Sequence, residues 1–255
     1  MKYFKIIGVM SLLVFSFYLT DFVTELAINS NPLMKTIKNN SENYCTKSVN
    51  ATIDNNTIIP GIKGKIVNEM ESFLNMKDFG TFNINYLIYD YLKPEVSLED
   101  NLDKVIISGN KTKRQVSILI YDNMNVLNYL KKNKLKYSKL IDIDNEIDLG
   151  ENINIENDKE DYNKIDRLLK KKNKNKKICI INYSNIESCK DKNYFLVNPN
   201  VVLNNSNFNN TLKNIDLGSI ILIDNNLNLN NFILFLNNMK NSDIKFVYLS
   251  ELIQE

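Results

Sequence analysis

Three aspartates stand where an apolar strand pattern ends. Asp122 follows the run Val116–Tyr121, Asp144 follows Leu140–Ile143, and Asp224 follows Ile220–Ile223. In α/β folds the chemistry sits at the C-terminal ends of parallel strands. Three carboxylates on one rim could supply oxygen ligands to a hard cation such as magnesium or calcium. They could equally serve as acid and base. A structural role competes with both, because aspartate is a favoured N-cap and Asp122 and Asp224 each precede a helical pattern. Capping is the first expectation for these two.

What the chain lacks narrows the chemistry further. There is no histidine among 255 residues. Histidine is the side chain that titrates near neutrality and the usual nitrogen ligand of zinc. Ser-His and Cys-His nucleophile arrangements are therefore closed to this protein, and so are most hydrolytic zinc sites. Cys45, Cys179 and Cys189 form an odd set without a C-x-x-C pair, so neither a disulfide framework nor a zinc knuckle follows. Cys179 lies inside the apolar run Ile178–Ile181 and is expected to be a buried, inert thiol. The formal net charge of +2 predicts no nucleic-acid partner.

The elements that must position these residues alternate along the second part of the chain. Strand patterns at 116–121, 140–143, 178–181, 194–197, 220–223 and 244–249 are interleaved with helical spacings. The helical spacings are Met124/Leu127/Leu130, Tyr162/Ile165/Leu168/Leu169 and Leu229/Phe232/Ile233/Leu236/Met239. Alternation of this kind predicts a parallel sheet with right-handed crossovers, open or closed into a barrel. The stretch Asp142–Asp161 carries nine acids against Lys159 and reads as a solvated loop. The six lysines of Lys170–Lys177 fall at a helix end, where they complement the dipole, with binding of an anionic wall polymer as a second reading.

Before this part, residues 29–110 mix both periods. Ile66, Val67, Met70, Phe73 and Leu74 recur at helical spacing, and Phe82, Ile84, Tyr86 and Ile88 alternate as in a half-buried strand. A small α+β leader module is expected. Residues 1–28 open with Lys2 and Lys5, followed by the apolar run Ile6–Thr20. Such a segment reads as a signal-anchor or signal peptide, with the remainder outside the cytoplasm. A cytosolic protein with a buried N-terminal helix is the competing reading.

The residues of 111–255 resemble a known family. Gly218-Ser-Ile-Ile-Leu-Ile-Asp224, an amphipathic helix, and Ile244-Lys-Phe-Val-Tyr-Leu-Ser-Glu-Leu-Ile253 resemble the last motif of the polysaccharide deacetylases. In that family (NodB-homology, carbohydrate esterase family 4) a strand G-D-I-I-L-L-H precedes a helix and K-F-V-T-L-S-E-L-L. Gly109-Asn110 and Arg114-Gln-Val-Ser-Ile-Leu-Ile-Tyr-Asp122 resemble the first motif, V-A-L-T-F-D-D. Val49–Gly61 and the stretch to Asn110 resemble the leader module of clostridial deacetylase-like proteins.

The resemblance implies a shortened or incomplete (β/α) barrel, since only about 145 residues follow Asn110. It puts Tyr121 where the family has its general base, Asp122 at the metal-binding aspartate, and Asp224 in place of the acid histidine. No residue near Asp142–Asp161 matches the two further histidines of the metal site. The implied protein is a degenerate deacetylase with no cofactor expected and the family zinc site unsupported. It would be held at the cell membrane by its N-terminal helix, with cell-wall glycan as a partner. The alternative is a residual N-deacetylase using a carboxylate-only site at Asp122, Asp144 and Asp224.

Overall fold

A computed structural model describes residues 2–240 and 243–255; the side chains of residues 2–7 and 9, including Lys2 and Lys5, lie outside the description. The chain divides into two units, residues 1–48 with 63–93, and residues 49–62 with 94–255. This division differs from a boundary at 110. Residues 49–62 and 94–110 belong to the larger unit because their strands complete its sheet.

In chain order the elements begin with α1 (Lys2–Ser30), α2 (Pro32–Ser41), β1 (Thr52–Asp54), β2 (Thr57–Ile59), β3 (Gly64–Val67) and α3 (Glu69–Met76). Then come β4 (Tyr89–Leu92), β5 (Val105–Ile106), β6 (Gln115–Ile120), α4 (Met124–Lys132), β7 (Ser138–Ile141) and β8 (Glu151–Asn154). They continue with α5 (Lys159–Lys171), β9 (Ile178–Ile180), α6 (Ile186–Asp191), β10 (Phe195–Val197), β11 (Val201–Leu203) and α7 (Phe208–Asn214). The last are β12 (Ile220–Ile223), α8 (Leu229–Lys240), β13 (Lys245–Val247) and α9 (Leu249–Ile253).

The smaller unit joins α1, α2 and α3 to the antiparallel pair β3 and β4. Asn31 stops α1 and starts α2: its side chain accepts the Leu33 amide at 2.8 Å, with Pro32 at the first helical position. Leu33, Met34 and Ile37 of α2 pack on Phe73 and Met76 of α3, with Val67 and Leu87 completing the core. The alternation at Phe82–Ile88 does not form a strand. Residues Ile84–Tyr86 make a 3₁₀ turn, because the Asn83 side chain caps the Asn85 amide and bends the chain out of extension.

The larger unit holds two sheets. One has the order β1-β2-β5-β10-β9, and the other runs β11-β12-β6-β7-β8 with β13 added beside β6. Every pairing in the second sheet is parallel. Strand β6 is its centre. It pairs over Ser117–Ile120 with β12, while its other edge is shared between β13 at Gln115–Ser117 and β7 at Leu119–Ile120. One face of both sheets meets in a single core: Ile58, Ile106, Leu119, Leu140, Ile153, Ile180, Val197 and Leu222, with Leu249 and Leu252 from α9. The opposite face of the parallel sheet is covered by α4, α7 and α8, through Leu127, Phe208, Phe232 and Phe235.

Strand β8 corrects the reading of 142–161 as a solvated loop. All four of its residues are buried, although three of them are polar. Glu151 accepts the Ser138 hydroxyl at 2.5 Å and the Ser250 amide at 3.3 Å. The Asn154 amide group donates to Tyr162 O at 2.9 Å, and Asn152 is bonded to Asp148 and Gly150. Polar side chains can be buried when each finds a partner, and such a strand leaves no apolar pattern to detect.

Cys179 and Cys189 form a disulfide linking β9 to α6, which corrects the expectation of a free inert thiol at Cys179. The sequence spacing hid the pair; the fold brings the two Cα atoms to 6.1 Å. Both cysteines are fully buried, and Cys45 is the free one.

Candidate functional site

The C-terminal ends of β6, β7 and β12 carry the residues singled out from the sequence: Tyr121 and Asp122, Asp144, and Asp224. Register pairs Ile120 with Ile223, so Asp122 and Asp224 emerge from neighbouring strands on one rim. The carboxylate after β7 that engages a residue of this rim is not Asp144 but Asp142. The Tyr121 hydroxyl donates a hydrogen bond to Asp142 Oδ2. Asp142 Oδ1 accepts the Asn145 side-chain amide at 2.6 Å and the Asp144 backbone amide at 3.1 Å. Asp144 enters this cluster only through its backbone and is itself exposed.

The electrostatics of this pair are one-sided. Burial works against ionisation of Asp142, but the hydrogen bonds from Tyr121, Asn145 and the backbone outweigh it and lower its pKa. The Tyr121 phenol is pushed up to about 12, first by the bond to Asp142, then by partial burial and the charges of Asp142 and Asp122. At neutral pH this position holds a protonated donor facing a carboxylate. A group in that state takes no proton from water.

Neither Asp122 nor Asp224 caps a helix. The N-cap of α4 is Asn123, whose Oδ1 accepts the Val126 amide at 3.2 Å. Asn228 supplies the acceptor ahead of α8, taking the Asn231 amide at 2.8 Å. Asp224 instead closes a local turn on the Asn226 amide at 2.8 Å. Asn123 does more than cap. It is buried, and its amide group donates to Asp224 O at 3.1 Å and Leu227 O at 2.9 Å, tying the end of β6 to the loop after β12. Asp122 is exposed.

Asp142 and Asn123 escaped the sequence reading for identifiable reasons. The strand at 140 ends at Ile141, two residues before the apolar pattern stops, so the first polar residue past the strand is Asp142 and not Asp144. Asparagine makes up about one residue in six, which hides any single functional one.

The donor set does not fit a zinc ion. The chain has no imidazole, Asp122 is the one residue at a motif ligand position, and among the described residues no group of three or more Cys, Asp or Glu could hold a metal ion. The same observation leaves the carboxylate-only arrangement of Asp122, Asp144 and Asp224 without geometric support.

Comparisons with known proteins address the scaffold. No family model matches the chain. A curated relative, the uncharacterized protein YlxY of Bacillus subtilis, is 37% identical over 101 residues, which cover 39% of this chain and 31% of that one. The match thus spans about a third of the relative's length. Among solved structures, the wild-type Bacillus anthracis protein BA3943, described as a pseudoenzyme of carbohydrate esterase family 4, superposes with a TM-score of 0.56 at 18% identity. The alignment covers 88% of this chain and 95% of that one. A mutant of BA3943 described as having restored enzymatic activity gives a TM-score of 0.58 at 19% identity, covering 88% and 98%.

The fold is that of a family 4 carbohydrate esterase. Within this fold the two glycines of the motif segments have a physical role. Gly218 has φ +85°, and a Cβ there would lie 2.3 Å from Gly109 O. The Gly109 amide donates to Gly218 O at 2.8 Å. The two backbones touch at the N-terminal end of β12, where only glycine fits.

Proposed function

We propose that this protein is a membrane-anchored, extracytoplasmic polysaccharide deacetylase-like protein that has lost catalysis and keeps its scaffold to bind cell-envelope glycan or to hold a partner. The observation that carries this reading is the Tyr121–Asp142 bond. The position that matches the family's base is occupied by a phenol whose proton is committed to a neighbouring carboxylate.

Deacetylation by the family route requires a metal-bound water, a base and an acid for the leaving amine. Each requirement fails on a named residue: no ligands accompany Asp122, Tyr121 is a donor, and a carboxylate at Asp224 replaces the acid. Likeness to a pseudoenzyme of the same fold supports the reading. The apolar helix Met10–Ser30 is long enough to cross a membrane and none of it is buried, which supports the anchor.

The test is acetate release from chitooligosaccharide and from peptidoglycan, with and without added divalent metal, alongside glycan co-sedimentation. The expected result is no acetate from the wild type and retention on peptidoglycan. Metal-dependent release that disappears in Asp122→Asn would overturn the loss of catalysis. Absence of retention on any envelope glycan would remove the glycan-binding role and leave the scaffold role.

A further inference from the structure

The end of the parallel sheet opposite Tyr121, Asp122 and Asp224 carries a basic groove. It is an open depression of about 710 Å³ at the N-terminal ends of β6 and β13 and the loop entering β7. Lys113, Lys134, Lys136 and Lys245 line it, with Glu251 as the single acid among its lining residues. Phe246 and its neighbours give it an apolar floor, flanked by Gln115 and Gln254.

The charges are unequally committed. Lys136 and Glu251 neutralise each other at 2.8 Å. Lys113 donates to Gln254 O, and burial lowers its pKa. Lys134 and Lys245 are exposed and form no ion pair among the described residues. The groove therefore keeps an excess of positive charge over a surface that includes an aromatic ring. The motif rim lies at the other end of β6, a six-residue strand of about 20 Å.

From this charge complementarity we propose that the groove binds a linear phosphate-bearing polyanion, with its phosphates on Lys134 and Lys245. Ammonium groups on flexible stems suit successive phosphates because they act as point charges without a fixed fork. The site is independent of the glycan reading, since it shares no residue with the motif rim.

The probe is linear polyphosphate, titrated into the full chain in a neutral detergent, with polyglutamate as a carboxylate polyanion for comparison. Expected are saturable binding that weakens as salt rises, at least tenfold loss in the double variant Lys134→Glu/Lys245→Glu, and no loss in Lys35→Glu/Lys47→Glu, two exposed lysines of the smaller unit. Thermal midpoints of both variants, unchanged from wild type, show that folding is not the cause. No binding of polyphosphate, equal loss in both double variants, or equal affinity for polyglutamate would each overturn the proposal.

Discussion

The bond between Tyr121 and Asp142 gives both side chains a structural role. A hydrogen bond to a carboxylate is worth about 1.5–3 kcal/mol, and partial exposure puts this one at the lower end. Tyr121→Phe should therefore destabilise the larger unit by about 1–2 kcal/mol in a denaturant titration. The pH dependence has a definite sign. A phenol whose folded pKa is raised to about 12 contributes stability that is complete below pH 10 and is lost as pH rises through 12. Asp142, with its pKa lowered, contributes above the ordinary carboxylate range and loses that contribution on acidification. Asp142→Asn should accordingly bring the Tyr121 midpoint back toward 10, read by phenolate absorbance. An unchanged midpoint in that variant would show that burial, not the carboxylate, holds the phenol up. Tyr121→Asp should yield no acetate release, because among the described residues no group of metal-ligating side chains accompanies Asp122.

The elements that present these residues were legible in proportion to how apolar they are. Strands β6, β9, β10 and β12 and helices α4, α5 and α8 follow from runs and helical spacings of Ile, Leu, Val, Phe, Met and Tyr. Strand β8 was invisible, since Glu151, Asn152 and Asn154 are buried by pairing and not by hydrophobicity. The last apolar run, 244–249, splits into β13 and the start of α9 because Glu251 reaches back to the Tyr248 amide and begins a helix. At the site itself, Asp122 and Asp224 were placed on the right rim by strand order alone. Asp142 and Asn123 needed the strand end and the loop contact that only coordinates supply.

Two substitutions probe this scale. Asn123→Ala removes a cap and two loop hydrogen bonds and should cost about 2 kcal/mol. Gly218→Ala forces a Cβ against the Gly109 carbonyl at positive φ and should cost more than about 2 kcal/mol, enough to reduce the yield of folded protein. A wild-type melting midpoint in the glycine variant would contradict the contact.

For the whole molecule, the disulfide is the feature with the widest reach. Cross-linking residues 10 apart in sequence restricts the unfolded chain and should stabilise the larger unit by about 2–3 kcal/mol. Peptide mapping without reductant should recover Cys179 joined to Cys189 and Cys45 alkylated; both buried cysteines alkylated in protein taken from its native compartment would refute the bridge. Disulfides persist in oxidising surroundings, so the bridge between Cys179 and Cys189 holds only in such a compartment.

The side chain of Glu255 has a consequence for how the protein is made. Its Oε1 accepts the amides of Gly61 at 3.1 Å and of Leu98 at 2.8 Å, partners 194 and 157 residues earlier in the chain. A ribosome releases the early strands long before this carboxylate exists. Both bonds close long loops, and the entropy of that closure makes them late events in the folding of the larger unit.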